Sequence, residues 1–213
     1  MQMSGQVLPV GIRFEGMPCL VIGGGSVAER RIQWLLSGQA KVTVVAPEVT
    51  DAISRLSDDG RLEWRCGRYS PDCLEGYFMI IAATDDPILN EAIAEAGCRG
   101  NRLVNVVSNS EKGNVEVIPA LHRGDLAIGI STGGASPQLA ARIRDQLSCQ
   151  YGNEYGDYLR LIHEIRDWAQ SRYSDLNERR AAVAAVLDLD LLPLIREGKL
   201  ELARQLAMEC LSI

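Results

Sequence analysis

Three consecutive glycines, Gly23-Gly24-Gly25, separate a short apolar segment from a segment with helical periodicity. The apolar segment, Met17–Ile22, has the length and character of a buried strand. The apolar residues of Val27–Leu36 recur at a helical spacing, and Gly38 follows as a helix-terminating glycine. A strand that passes through a glycine turn directly into a helix opens a βαβ unit, which predicts an α/β fold.

Strand and helix signals continue to alternate as far as residue 108. Runs rich in Val and Ile predict buried parallel strands, and amphipathic segments between them predict helices. Further strands are predicted at 40–47, 61–67, 77–84 and 102–108, and helices at 52–56 and 87–96. This order predicts a Rossmann-type, doubly wound parallel sheet.

The pattern changes after Ser108. Two short strands are predicted around His122, and the next helix has a clear start, with Ser136 as its N-cap and Pro137 as its first residue. The remainder of the sequence has helical character. We therefore expect a boundary near residues 108–114, followed by a small middle region and a C-terminal helical domain.

The glycine turn fits the pattern G-x-G-x-x-A, which is typical of dinucleotide-binding folds. Gly23 permits the tight turn, Gly25 lets a pyrophosphate approach the backbone, and Ala28 lets the helix pack closely on the strand. The free N–H groups of the helix N-terminus then attract the phosphates. The alternative is a glycine turn with a structural role only. The predicted cofactor-binding residues of this turn are Gly23, Gly24, Gly25, Ser26, Val27 and Ala28.

The residues after the second strand indicate which dinucleotide binds. Folds that bind NAD usually place an acid on the ribose at this point, and Glu48 occupies the position, next to Pro47. No Arg or Lys lies between Ala46 and Asp51 to pair with the 2′-phosphate of NADP, so NAD is favoured. In the alternative interpretation only the backbone of Pro47 and Glu48 contacts the ribose. A flavin is a less favoured possibility.

The fourth strand ends in Ala83 and Thr84, which we expect to line the nicotinamide side of the cofactor. Two acids follow them. We interpret Asp85 and Asp86 as helix-capping residues, with Asp86 as the N-cap of the helix that begins at Pro87.

Composition argues against several classes of function. The formal net charge of −6 disfavours a nucleic-acid binder, which needs clustered Lys and Arg. No uninterrupted apolar run of about 18 residues exists, so no membrane span is expected. The N-terminus lacks the basic and apolar segments of a signal peptide. The six cysteines form no C-x-x-C pair, so we expect free thiols, no metal site and a cytoplasmic location.

Five segments, in order, resemble the precorrin-2 dehydrogenase family. They read CLVIGGGSVAERR, KVTVVAP, IAATDDPILN, LVNVV and ISTGGASPQLAARIRDQL, and they lie within Gly11–Leu147. The last segment, with Gly133-Gly134 and Ser136-Pro137, is not a general Rossmann feature. Members of this family are NAD-dependent enzymes of the sirohaem pathway, and some are also sirohydrochlorin ferrochelatases.

The resemblance implies a Rossmann domain at residues 1–113, a dimerisation region at 114–147 and a helical domain at 148–213. It also implies a homodimer that removes a hydride from precorrin-2 with NAD⁺ and releases sirohydrochlorin. The substrate is then an anionic tetrapyrrole with several carboxylates. The predicted substrate-binding residues are His122, Arg123 and Thr132.

The loop after the fifth strand departs from the family pattern. Family members typically read Asn-Val-Val-Asp here, and the resemblance assigns that aspartate to dehydrogenation and, where it occurs, to chelation. In this chain Asn105-Val106-Val107 is followed by Ser108. A serine does not accept a proton near its free pKa without a neighbouring base. We therefore predict Ser108 and Asn105 as the residues at the catalytic position, with dehydrogenation retained and ferrochelation doubtful. Glu111, Glu116 or His122 acting as a substitute for the acid is the less favoured alternative.

Two other functions stay open at this point. A non-catalytic tetrapyrrole- or NAD-binding protein of the same pathway is favoured by Ser108. An unrelated Rossmann oxidoreductase is disfavoured by the STGGASP segment.

Overall fold

The computed structural model describes residues 7–211, which form two compact units. The first unit comprises Leu8–Val117, and the second comprises Val7 and residues 118–211. Residues 118–147 of the predicted middle region and residues 148–211 of the predicted helical region lie in the second unit, whereas residues 114–117 lie in the first. Their division at residue 147 therefore stays a prediction.

The first unit contains a five-stranded parallel sheet. Its strands are β1 (Pro18–Ile22), β2 (Lys41–Ala46), β3 (Glu63–Cys66), β4 (Met79–Ala82) and β5 (Leu103–Val106), and its helices are α1 (Ser26–Ser37), α2 (Asp51–Asp58) and α3 (Pro87–Arg99). Short 3₁₀ helices occupy Pro71–Leu74 and Ser110–Lys112. The strand order is β3-β2-β1-β4-β5, so the winding direction reverses between β1 and β4. The predicted Rossmann-type fold is confirmed.

The central strands are apolar on both faces because side chains pack against each face of the sheet. On one face Val21 and Ile81 join a cluster with residues of α1 and α2, and on the other Leu20 and Ile80 pack against residues of α3. All four side chains are fully buried. Each such side chain contributes roughly 1.5–3 kcal/mol when removed from water, so this core holds the strand ends at fixed positions.

The reactivity of the Cys19 thiol, in β1, is a test of this burial. Burial raises the pKa of Cys19 to about 11, whereas Cys66 at the end of β3 is exposed. Only the thiolate reacts, and at about pH 8 Cys19 remains protonated because its thiolate accumulates only as the pH approaches 11. Iodoacetamide treatment of the native protein, followed by mass spectrometry, is expected to modify Cys66 and to leave Cys19 intact. Rapid native modification of Cys19 would show that this core is open.

The second unit begins with an antiparallel hairpin and continues as helices. The hairpin consists of β6 (Ala120–Arg123) and β7 (Leu126–Gly129), and the helices are α4 (Pro137–Gln150), α5 (Glu154–Arg172), α6 (Leu176–Leu187), α7 (Leu192–Arg196) and α8 (Leu200–Cys210). Ser136 caps α4 as predicted, since its hydroxyl accepts a hydrogen bond from Leu139 N at 3.1 Å. Residues of α5 to α8 bury a separate apolar cluster that includes Leu161 and Val186. Within the described range, none of the helices is sufficiently long and apolar to cross a membrane.

Candidate active site

The glycine turn and the end of β4 meet where the winding direction reverses. Gly23, directly after β1, has φ +121°, a backbone conformation that residues other than glycine rarely adopt. A Cβ at this position would overlap the backbone carbonyl of Ala83, which follows β4. Glycine is therefore required here by both conformation and space, and the turn closes tightly against the neighbouring strand end.

The next two glycines have different surroundings. A Cβ on Gly24 would overlap the carbonyl oxygen of Glu48, and Thr50 N donates a hydrogen bond to Gly24 O at 3.0 Å. A Cβ on Gly25 would meet no atom within 4 Å. Gly24 thus packs against the loop after β2, while the backbone at Gly25 borders open space.

The N-terminus of α1 faces this space. Gly25 is its N-cap and supplies no side-chain acceptor, so the first N–H groups of the helix, from Ser26 onward, need another partner. Ala28 is fully buried, which lets the helix approach the sheet closely. Glu29, the acid of the first turn, accepts a hydrogen bond from Thr50 Oγ1 at 2.7 Å and is tied to the start of α2. Free backbone donors beside an open glycine fit a pyrophosphate.

The loop after β2 is held from two sides. Cys66 Sγ donates to Pro47 O at 3.4 Å, and Trp64 Nε1 donates to Ala46 O at 3.0 Å, so the end of β3 anchors one side. On the other side the carbonyl of Glu48 packs against Gly24. The side chains of Pro47 and Glu48 are exposed. Contact between Glu48 and a ribose stays a prediction.

The ends of β4 and β5 are joined by a side chain that the sequence interpretation missed. Asn90 of α3 is 1% exposed, and its Oδ1 accepts hydrogen bonds from Thr84 N at 3.1 Å and Thr84 Oγ1 at 2.8 Å. Its Nδ2 donates to Thr84 O at 3.0 Å and reaches Ser108 Oγ at 3.5 Å. A signal was present, because Asn90 belongs to the core-facing series Asn90, Ile93, Ala94 and Gly97 of α3. A polar residue in such a series has a specific buried partner.

The two acids after Thr84 fall at the start of α3. Asp86 Oδ1 accepts hydrogen bonds from Ile88 N at 2.9 Å and Leu89 N at 3.2 Å, which confirms Asp86 as the N-cap. The neighbouring Asp85 is exposed. The capping hydrogen bonds fix the orientation of α3 and, with it, the position of Asn90.

The two residues predicted at the catalytic position have different surroundings. Ser108 is exposed beyond the carboxyl end of β5. Asn105 lies inside β5, is 2% exposed, and donates from Nδ2 to Val115 O at 3.0 Å. Its Oδ1 is buried and has no hydrogen-bond partner among residues 7–211. Asn105 thus anchors the segment that returns along β5, whereas Ser108 can meet a ligand directly.

The three predicted substrate-binding residues belong to the second unit. His122 is exposed, while Arg123 donates from Nε to Tyr151 O at 3.0 Å and from Nη1 to His122 O at 2.9 Å. Thr132 closes the turn before α4, since its hydroxyl donates to Ser136 O and accepts from Ser136 N, both at 3.1 Å.

His122 and Arg123 border an open cavity of about 440 Å³ between the hairpin turn and the start of α5. Its lining carries both signs of charge, because Asp125 and Asp157 lie beside the basic side chains and Arg160 pairs with Asp157. The charge of the cavity is therefore largely balanced within the unit. Between residues 7 and 211 no three His, Cys, Asp or Glu side chains lie close enough together to hold a metal ion.

Comparison with known proteins agrees with this geometry. A family model described as putative NAD(P)-binding matches residues 10–120, and one described as sirohaem biosynthesis protein central matches residues 123–148. Precorrin-2 dehydrogenase of Priestia megaterium is 36% identical over 152 residues, which is 71% of this chain and 75% of that protein. The solved structure titled "SirC, precorrin-2 dehydrogenase" superimposes with a TM-score of 0.79 at 30% identity, covering 95% of this chain and 100% of the other.

Longer relatives share the same region. Siroheme synthase of Chromobacterium violaceum is 34% identical over 200 residues, which is 93% of this chain but 42% of that protein. Siroheme synthase 3 of Aeromonas hydrophila is 31% identical over 201 residues, 94% of this chain and 43% of that protein. The chain therefore spans less than half the length of the siroheme synthases that it matches. It belongs to the precorrin-2 dehydrogenase family, and its first unit is an NAD-binding Rossmann domain.

Proposed function

We propose that the chain is an NAD-dependent precorrin-2 dehydrogenase that forms sirohydrochlorin. The observation that carries the proposal is the convergence of the open glycine turn, Thr84 and Ser108 at the carboxyl edge of one sheet in a member of this family. The substrate loses one hydride and one proton, and the nicotinamide supplies the hydride acceptor when NAD⁺ is bound.

The residues of the first unit supply position rather than acid–base chemistry. The N–H groups at the start of α1 would bind the pyrophosphate, and the loop of Pro47 and Glu48 would hold the ribose. Ala83 and Thr84 would orient the nicotinamide. Holding two reactants in register is worth about 7–11 kcal/mol, whereas a positioned base adds about 10²–10⁴-fold. The larger contribution does not require a carboxylate at Ser108.

A single-turnover assay tests the proposal. The purified chain is mixed with precorrin-2 and NAD⁺, and the appearance of the sirohydrochlorin spectrum is followed. Product formation that depends on both the protein and NAD⁺ supports the proposal. Binding of NAD⁺ and of precorrin-2 without any product would instead indicate a non-catalytic carrier.

Replacing Ser108 with alanine is expected to lower the dehydrogenation rate by less than about tenfold. Ser108 offers one neutral hydrogen bond, and such a bond contributes about 0.5–1.5 kcal/mol. The measurement is kcat/KM for precorrin-2 at saturating NAD⁺. A loss beyond about a hundredfold would show that the hydroxyl itself takes part in the chemistry.

Iron insertion into sirohydrochlorin is expected to be slow or undetectable. Insertion removes two pyrrole protons while the metal enters, and the exposed hydroxyl of Ser108 is a poor proton acceptor. Ser108→Asp is expected to raise the rate of sirohaem formation above that of the unmodified chain. Rapid insertion by the unmodified chain would show that another residue accepts these protons.

We further propose that the chain forms a homodimer through residues 115–130. The supporting observation is that β6 and β7 form a two-stranded sheet within the described chain, so each has an outer edge available for pairing. Light scattering at micromolar concentration is expected to give twice the mass of one chain. A monomeric mass at this concentration would contradict the proposal.

A further inference from the structure

The amide of Asn90 has only one orientation compatible with its neighbours. A backbone N–H can only donate, so the atom that faces Thr84 N at 3.1 Å must be Oδ1. The carbonyl of Thr84 can only accept, so the atom that faces it at 3.0 Å must be Nδ2. Both ends of the amide are therefore fixed by main-chain groups of the loop after β4.

This orientation determines what Ser108 can do. One hydrogen of Asn90 Nδ2 is directed to Thr84 O, and the other is directed to Ser108 Oγ at 3.5 Å. Oδ1 faces the N–H and the hydroxyl of Thr84, so the atom of this amide that faces Ser108 is the donor Nδ2. The Ser108 oxygen is consequently an acceptor toward the protein, and its own proton is left to donate elsewhere.

We propose that Asn90 is a positioning residue that directs the hydroxyl proton of Ser108 toward the substrate. The inference rests on the proposed dehydrogenation, because it assigns the recipient as an acceptor atom of the tetrapyrrole, such as a ring nitrogen that has lost its proton. Ser108 is exposed at the carboxyl end of β5, and the amide that orients it is buried. Because the Asn90 amide is buried, its orientation stays fixed while Ser108 remains accessible to a ligand.

The same amide N–H would act differently on an acid. A carboxylate at position 108, as the family resemblance describes, would accept the Asn90 hydrogen bond. A hydrogen bond to the charged form lowers the pKa of a carboxyl group. The Nδ2 donor of Asn90 would thus favour the ionised form of an acid at position 108, and the same donor orients the serine that stands there.

The first test does not depend on activity. In Ser108→Asp, labelled with ¹³C, the introduced carboxyl is titrated by NMR in the presence of Asn90 and again in the double variant with Asn90→Ser, whose shorter side chain cannot reach it. The pKa is expected to lie below about 3.9 in the single variant and to rise by about one unit in the double variant. Equal values in both proteins would overturn the proposed orientation.

Circular dichroism shows whether the double variant folds. If it does not fold, the pKa in Ser108→Asp alone still tests the proposed orientation of Asn90. A pKa of about 3.9 or higher in Ser108→Asp alone means that no donor faces this position. Because neither measurement uses precorrin-2, both remain valid if the chain proves to have no dehydrogenase activity.

The second test measures whether Asn90 acts through Ser108. Asn90→Ser is expected to lower kcat about tenfold in the unmodified chain, but only about threefold in the Ser108→Ala background, where the effect on Thr84 alone remains. NAD⁺ affinity, measured in parallel, reports the Thr84 loop by itself. The same loss of kcat in both backgrounds would show that the two residues are independent, and the proposal would fail.

Discussion

Replacing Gly25 with aspartate is expected to weaken NAD⁺ binding by about thirtyfold or more without unfolding the protein. A Cβ at Gly25 meets no atom within 4 Å, so the fold accommodates a side chain there. The new carboxylate would stand at the N-cap of α1, the proposed site of the pyrophosphate. Two like charges about 4 Å apart repel by about 4 kcal/mol near a protein surface, and solvent exposure leaves roughly half of this.

Isothermal titration calorimetry measures this change, and Gly11→Asp is the matched control. Gly11 also has no atom within 4 Å of its would-be Cβ, and it precedes β1, whereas the glycine turn follows β1. The control carries the same added charge and is expected to bind NAD⁺ as the unmodified chain does. Unchanged affinity in Gly25→Asp would place the cofactor elsewhere.

Replacing Gly23 with alanine is expected to destabilise the first unit by about 3 kcal/mol. The φ of +121° is strained for any residue with a side chain, and the added Cβ would overlap the carbonyl of Ala83. The overlap cannot relax easily, because Ala83 N is hydrogen-bonded to Ile22 O at 2.8 Å and continues the ladder between β1 and β4.

Urea unfolding followed by circular dichroism measures the loss, with Gly25→Ala as the matched control. The same methyl group is added two residues away, at a position with open space and a negative φ of −81°. Gly25→Ala is expected to unfold at nearly the same urea concentration as the unmodified chain. Equal stability of the two alanine variants would mean that the turn at Gly23 is not tightly packed.

The sequence predicted most of the first unit because local signals and tertiary structure agree there. Parallel strands buried on both faces read as apolar runs, and Gly38, Pro87 and Asp86 mark helix ends in the way that propensity alone suggests. The glycine turn was predicted to bind a pyrophosphate, and the open space at Gly25 fits this role. The packing of Gly24 against Glu48 was not predicted, since it depends on the path of a loop distant in sequence.

The return of the chain along β5 also could not be predicted. The structure keeps residues up to Val117 in the first unit, a few positions beyond the expected boundary. Asn114 contributes to this, together with the bond from Asn105 to Val115, because its Oδ1 accepts from Val104 N at 2.7 Å and its Nδ2 donates to Arg102 O at 2.8 Å. Through these bonds a loop side chain satisfies backbone groups at the start of β5 that a neighbouring strand would otherwise pair with. No periodicity in the sequence reveals such an arrangement.

The hydride balance of a single turnover tests whether the chain dehydrogenates precorrin-2 without a carboxylate at position 108. With enzyme and NAD⁺ in excess over precorrin-2, reduced nicotinamide and sirohydrochlorin are measured in the same sample. We expect one reduced nicotinamide for each sirohydrochlorin, in the unmodified chain and in Ser108→Ala alike, with rates that differ by less than about tenfold. Binding of NAD⁺ without formation of either product would contradict the proposed dehydrogenation.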